Sequence, residues 1–292
     1  MSGGAVFLLA ASVAGSTARA VFSKKLFLSS GTKCDFYKTQ AALFFFAAAA
    51  VFLLNIQGMR PPSGKTLAFG IMYGIFTVLA QWLYTVALGK MPVSVCTMVY
   101  SFGFIIPTVF GTVLWNESVG FFRIISFLLC VVTIILSSLG NGGERKKAEI
   151  GAVLPLILSM VSSGGLGIVQ KLQQKSDYPS ETGPFLFSAF LLAGIISAVA
   201  AIAVKQKKRN IDRHGKERCI FVIIVGAAMA AANTANTLLV GRLPSVIAFP
   251  VTNVGVILAS LLISVIFLKE RITKRQIAAV VTGVTAVVMF NF

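Results

Sequence analysis

Apolar residues along this chain come in blocks of about twenty, parted by short polar stretches, and the blocks show no strand-like alternation. They fall at 4–22, 36–56, 67–88, 93–114, 119–139, 150–170, 185–204, 219–240, 244–268 and 272–292. A hydrocarbon layer about 30 Å thick is crossed by roughly 20 helical residues, so each block predicts one spanning helix. Spans of a β-barrel would instead alternate polar and apolar over about ten residues. Residues 115–118 are all that separates the fourth block from the fifth, which predicts an antiparallel hairpin. The predicted fold is an all-α membrane protein of ten transmembrane helices.

The blocks repeat. Gly89-Lys90-Met91-Pro92, an apolar span and Trp115-Asn116-Glu117 recur as Gly241-Arg242-Leu243-Pro244, an apolar span and Leu268-Lys269-Glu270. The shift is 152 at the glycine and 153 at the glutamate, and Gly74 and Gln81 recur at 152 as Gly226 and Asn233. Two copies of five spans put residues 1–140 in one repeat and 150–292 in the other. The glycine-rich and charged stretch 141–149 is the predicted linker. An odd number of spans makes the second copy enter the membrane from the opposite side, so the repeats are predicted to be inverted.

Composition agrees with a bilayer. The chain is 57% hydrophobic and 12% charged, whereas a soluble domain carries about 25% charged residues. The net charge of +17 would point to nucleic acid in a soluble chain. Here the basic residues lie in short loops between apolar blocks, where membrane orientation requires them, so no nucleic-acid partner is predicted. Nineteen Lys and Arg fall in or beside loops after odd-numbered spans, namely Lys24, Lys25, Lys33, Lys38, Lys90, 145–147, the seven between 205 and 218, Lys269, Arg271, Lys274 and Arg275. Six fall after even-numbered spans: Arg60, Lys65, Arg123, Lys171, Lys175 and Arg242. The positive-inside rule then sets both termini outside the cytoplasm.

Several look-alike motifs carry no chemistry. Gly64-Lys65-Thr66 imitates a phosphate-binding loop, but Gly58 is one residue too far upstream, Pro61-Pro62 stiffens the loop and no buried strand precedes it. Ala18-Arg19-Ala20 imitates a signal-cleavage site without a basic residue ahead of its apolar run, so the first span is read as retained. Cys34, Cys96, Cys130 and Cys219 are scattered and His214 has no ligand-spaced partner, so no metal, cofactor or disulfide framework is predicted.

Ten spans in two copies, each with Gly-basic-apolar-Pro before its fourth helix and Glu after it, resemble the drug/metabolite transporter superfamily, and within it the EamA-type exporters. The resemblance covers about residues 4–292. It implies a secondary carrier of small metabolites, amino acids among them, in the cell membrane. It also implies a central cavity lined by helices three, four, eight and nine, with five and ten peripheral. The family is usually drawn with both termini in the cytoplasm, opposite to the charge count.

Candidate functional residues follow. Glu117 and Glu270 match the family's acidic position. Beside a helix start, each would meet unpaired N–H groups and the positive dipole end, worth about 0.3–1 kcal/mol. A structural turn role and a gating role both stand. Gln81 and Asn233, with Tyr84 and Asn236 one turn along, cannot face lipid without losing their partners, so they are predicted to face the bundle interior. Interhelical bonding and solute contact are the two readings, and Tyr100 and Asn253 are weaker candidates of the same kind. Pro107 and Pro250 each free a backbone carbonyl and suit a bending helix. Arg19, the one basic residue well inside a span, either snorkels to the headgroups or offers an anion a bidentate partner.

No Asp or Glu lies deep in a predicted span, which favours neutral, zwitterionic or anionic solutes over cations. A membrane-embedded enzyme would need a nucleophile–base pair or metal cluster that the sequence does not supply. A receptor or assembly subunit without transport is the alternative. Direction of transport and oligomeric state have no sequence signature.

Overall fold

The computed structural model describes residues 3–28, 33–88, 96, 99–117, 120–139, 151, 153–204, 215–268 and 274–289. Ten α-helices and no strand occur among them. They are α1 (Gly3–Leu28), α2 (Lys33–Leu54), α3 (Gly64–Leu88), α4 (Ile105–Trp115), α5 (Phe121–Leu139), α6 (Val153–Gln174), α7 (Thr182–Ala203), α8 (Gly215–Arg242), α9 (Ser245–Leu268) and α10 (Lys274–Met289). Each falls on one apolar block of the sequence. Many large apolar side chains point outward, among them Phe7, Phe121 and Ile202, the last 85% exposed. Water would not tolerate so much exposed apolar surface, whereas lipid does. The protein is an integral multi-pass membrane protein.

The helices gather into two compact units that do not follow chain order. One holds Met1–Leu9, Leu79–Lys171 and Leu239–Phe292, and the other Ala10–Val78 and Leu172–Leu238.

In the second of these, α2 and α7 make the most extensive helix-to-helix contact among the described residues. Four contacts fix its sense. The Cys34 thiol donates to Ala201 O at 3.5 Å, Phe45 packs on Gly194, Phe52 lies 6.0 Å from Phe187 between ring centroids, and Asn55 packs on Gly183. Numbers rise along α2 while they fall along α7, so the pair is antiparallel. These are the second helices of the two repeats, and a helix lying antiparallel against its own copy is what an inverted duplication produces. Small residues permit the close packing of α3 on α7 as well. A Cβ on Gly74 would sit 2.7 Å from Ala189 O, and one on Gly70 would collide with Ser188, so the Gly70-x-x-x-Gly74 face serves the close helix contact that its spacing predicts.

The first unit has its own core, in which Phe104, Cys130, Ile134, Val240, Phe249, Val254 and Ala286 are buried together. Here α5 packs on α10, the fifth helix of each repeat. The Thr133 and Thr282 hydroxyls lie 3.0 Å apart, so one can donate to the other while the acceptor donates to a carbonyl of its own helix.

Four local features differ from, or refine, the sequence expectation. Helix α1 runs through Lys24 and Lys25, which the hydropathy pattern leaves in a loop. Helix α6 runs past its apolar block to Gln174 and carries Lys171 with it. The backbone tightens to a 3-10 turn over Phe102–Phe104 before α4, so Pro107 enters in the first turn of that helix, whereas Pro250 lies inside α9. Finally, Gly64-Lys65-Thr66 opens α3. The Ser63 hydroxyl accepts the Thr66 N–H, and the Ser63 N–H and hydroxyl both donate to Glu181 Oε2, at 3.0 and 2.9 Å. Glu270, the 141–149 linker and Thr273, which with Gln276 would form a capping box for α10, lie outside the described residues.

Candidate functional site

The most tightly built polar cluster among the described residues stands where α8 hands over to α9. A helix ends with carbonyls that lack partners and begins with N–H groups that lack them. Both kinds occur at this turn, buried in an apolar unit, and each needs a partner of the matching charge. Lys171, 2% exposed near the end of α6, supplies the cation. Its ammonium donates to Val240 O and Leu243 O, each at 2.9 Å, and lies 3.0 Å from Glu117 Oε1. Glu117 supplies the anion. Its Oε2 accepts the Ser245 N–H that opens α9, at 2.6 Å, and its Oε1 lies 3.4 Å from the Ser245 hydroxyl.

A cation therefore sits on the negative end of α8, an anion on the positive end of α9, and the two neutralise each other. Two neighbours shape the space. Asn116 takes a left-handed conformation, φ 47°, which turns the chain out of α4 and presents Glu117. Gly111 lets α4 approach, because a Cβ there would lie 2.6 Å from Ser245 Cβ and 2.8 Å from Glu117 Oε2. Glu117 thus meets a helix start, as the dipole argument asks, and the one it meets is that of α9.

The other sequence-predicted residues occupy several places. In the first unit Tyr84 and Tyr100 meet, with ring centroids 5.0 Å apart, over a small core of Ala87, Cys96 and Leu156. Gln81 is half-buried one turn before Tyr84, and its backbone carbonyl accepts the Thr85 hydroxyl. Asn253 is half-buried in α9 and donates to Phe249 O at 2.9 Å. Pro107 and Pro250 are both buried. In the second unit Asn233 is held at both ends of its amide. It accepts the Tyr73 hydroxyl at 2.6 Å and donates to Met229 O at 2.8 Å. Tyr73 is itself wedged edge-on against Phe185. Asn236 and Arg19 are half-buried in α8 and α1.

Sequence reasoning missed Lys171 and Tyr73. Lys171 reads as a loop lysine because it follows the apolar block, yet the repeat itself carried a signal. Lys171 lies 152 residues after Arg19, the same shift that relates Gly89 to Gly241. Tyr73 reads as one more aromatic in an apolar run, and only the fold shows its hydroxyl aimed at an amide.

Comparison with known proteins now bears on this arrangement. Residues 2–139 and 150–292 each match the EamA-like transporter family. The chain belongs to that family. Its ten helices are accordingly two five-helix repeats, within the drug/metabolite transporter superfamily, and the family is one of membrane transporters of small solutes. No curated protein matches the sequence. Among the solved structures that match is one titled only as the crystal structure of a protein. It aligns at a TM-score of 0.74 and 15% identity, covering 96% of each chain. At that identity it supports the fold alone.

Proposed function

We propose that this EamA-family chain is a secondary or facilitative carrier that exports a small neutral, zwitterionic or anionic metabolite by alternating access. The observation that carries the reading is the Lys171–Glu117–Ser245 cluster, in which a buried ion pair bonds the turn between α8 and α9 to α4 and α6. A carrier needs contacts that hold one state firmly and exchange as a set for others, and a buried ion pair that also bonds two helix-end carbonyls has that all-or-none character. Glu117 is already neutralised by Lys171, which leaves it a poor site for a cationic solute and supports the preference for other charge classes.

Solute contact is assigned to Gln81, Tyr84, Tyr100, Asn233, Asn236 and Asn253, with Arg19 as the partner for an anionic group. Asn233 enters this set with a condition: a solute taking its amide must replace the Tyr73 hydroxyl. The test is uptake into proteoliposomes of purified protein, with a panel of metabolites first screened for thermal stabilisation. Alanine at Gln81, Asn233 and Asn236 together is expected to abolish transport, while Tyr73→Phe lowers the KM by releasing Asn233. Unchanged transport in the triple variant would reduce those three to packing residues. A purified protein that moves none of the metabolites that stabilise it would favour a receptor.

A further inference from the structure

A groove runs between the start of α2 and the end of α7, on the surface of the second unit, and neither the ion-pair cluster nor the proposed solute contacts use it. Its volume is about 490 Å³ and its lining includes Cys34, Lys38 and Ala41 from α2 and Ala198, Ala201 and Ile202 from α7. The floor is small and apolar, with Cys34, Ala41 and Ala201 buried. Ile202 forms an 85% exposed apolar wall, and Lys38 is an exposed cation at the rim. Residues 34, 38 and 41 recur at helical spacing, so they stand on one face of α2. Lys38 lies five residues inside the helix start at Lys33, about 7 Å along the axis.

The surroundings add charge. Antiparallel packing puts the start of α2 beside the end of α7, and four residues connect α1 to α2. In the sequence, the stretches that lead into α2 and follow α7, 24–38 and 205–218, hold eleven Lys and Arg against three acids, Asp35, Asp212 and Glu217. We propose that the α2–α7 groove is a binding site for an acidic phospholipid. One acyl chain lies along Ala41, Ala198, Ala201 and Ile202, and the phosphate rests against Lys38. The occupant must be apolar at the floor and anionic at the rim, and a membrane lipid meets both demands where a free phosphate meets only one.

The test uses the full-length protein purified in detergent with a mixture of phosphatidylglycerol and phosphatidylcholine, reading retained lipid by native mass spectrometry. The wild type is expected to retain phosphatidylglycerol in preference. Lys38→Gln should weaken that retention by about fivefold, the scale expected of one lysine near an anionic surface, and Lys38→Arg should restore it. Ala198→Trp should fill the floor and lower retention of both lipids. Folding of each variant is checked by its gel-filtration profile and melting temperature. Equal retention of both lipids by the wild type, wild-type preference in folded Lys38→Gln protein, or wild-type retention in folded Ala198→Trp protein, overturns the proposal.

Discussion

Lys171 and Lys65 are both lysines bonded to a carboxylate, and their surroundings give them opposite weight. Lys65 meets Asp177 at 2.6 Å with both side chains largely exposed. The hydrogen bond from Lys65, and then its charge, hold the Asp177 carboxyl below the ordinary carboxylate range. Solvent screens such a pair, so Lys65→Ala is expected to leave the melting temperature in detergent indistinguishable from wild type. Lys171 is buried, and its pair is a different matter. Removing one partner leaves the other as an uncompensated buried charge, so Glu117→Gln and Lys171→Met are each expected to cost about 3–5 kcal/mol. The joint variant Lys171→Met with Glu117→Leu should cost less than the sum, because no charge is then stranded. Reversible unfolding in mixed micelles measures the coupling as a double-mutant cycle, and strict additivity would show that the pair is not a unit. Gly111→Ala probes the same cluster by volume. Its Cβ would press on Ser245 and Glu117 Oε2, so it should lower the melting temperature.

At the scale of elements, helices pair with their own copies, α2 with α7 and α5 with α10. Packing in lipid gains little from burial of apolar area, since lipid tails are apolar too, so small residues and close approach must carry it. Gly70→Leu or Gly74→Leu is therefore expected to separate α3 from α7 and abolish the folded peak in gel filtration, whereas Leu at exposed Ala49 of α2 should be silent. The Thr133–Thr282 bond tests a smaller effect. Each hydroxyl keeps an acceptor on its own helix when the other is removed, so the cycle between Thr133→Ala and Thr282→Ala should give only about 0.6 kcal/mol.

At the scale of the whole molecule, the chain is a duplicated, inverted ten-helix transporter. The orientation of that molecule in the membrane rests on charge. Lys171 leaves the loop count because it is buried and paired, and its loss makes the asymmetry between the two sides larger, not smaller. A reporter fused after Phe292 is expected to read out on the non-cytoplasmic side; a cytoplasmic signal would reverse the assignment and side with the usual drawing of the family.

The element count, the membrane and the duplication were legible in the sequence because they depend on composition over some twenty residues and on a shift of about 152, both one-dimensional quantities. Glu117 was visible for the same reason, as a mark that recurs 153 residues on at Glu270. Pairing was not. Whether a lysine at a helix end snorkels to water or turns inward depends on what stands opposite it. For Lys171 that is Glu117, 54 residues back in the chain, together with two carbonyls about 70 residues ahead. Asn233 offers the same lesson, since the sequence could place its amide on an interior face but not say that Tyr73 already held it. Hydropathy is a property of a segment and can be summed along the chain, whereas a hydrogen-bond partner is a property of two segments brought together, and only the packed helices decide it.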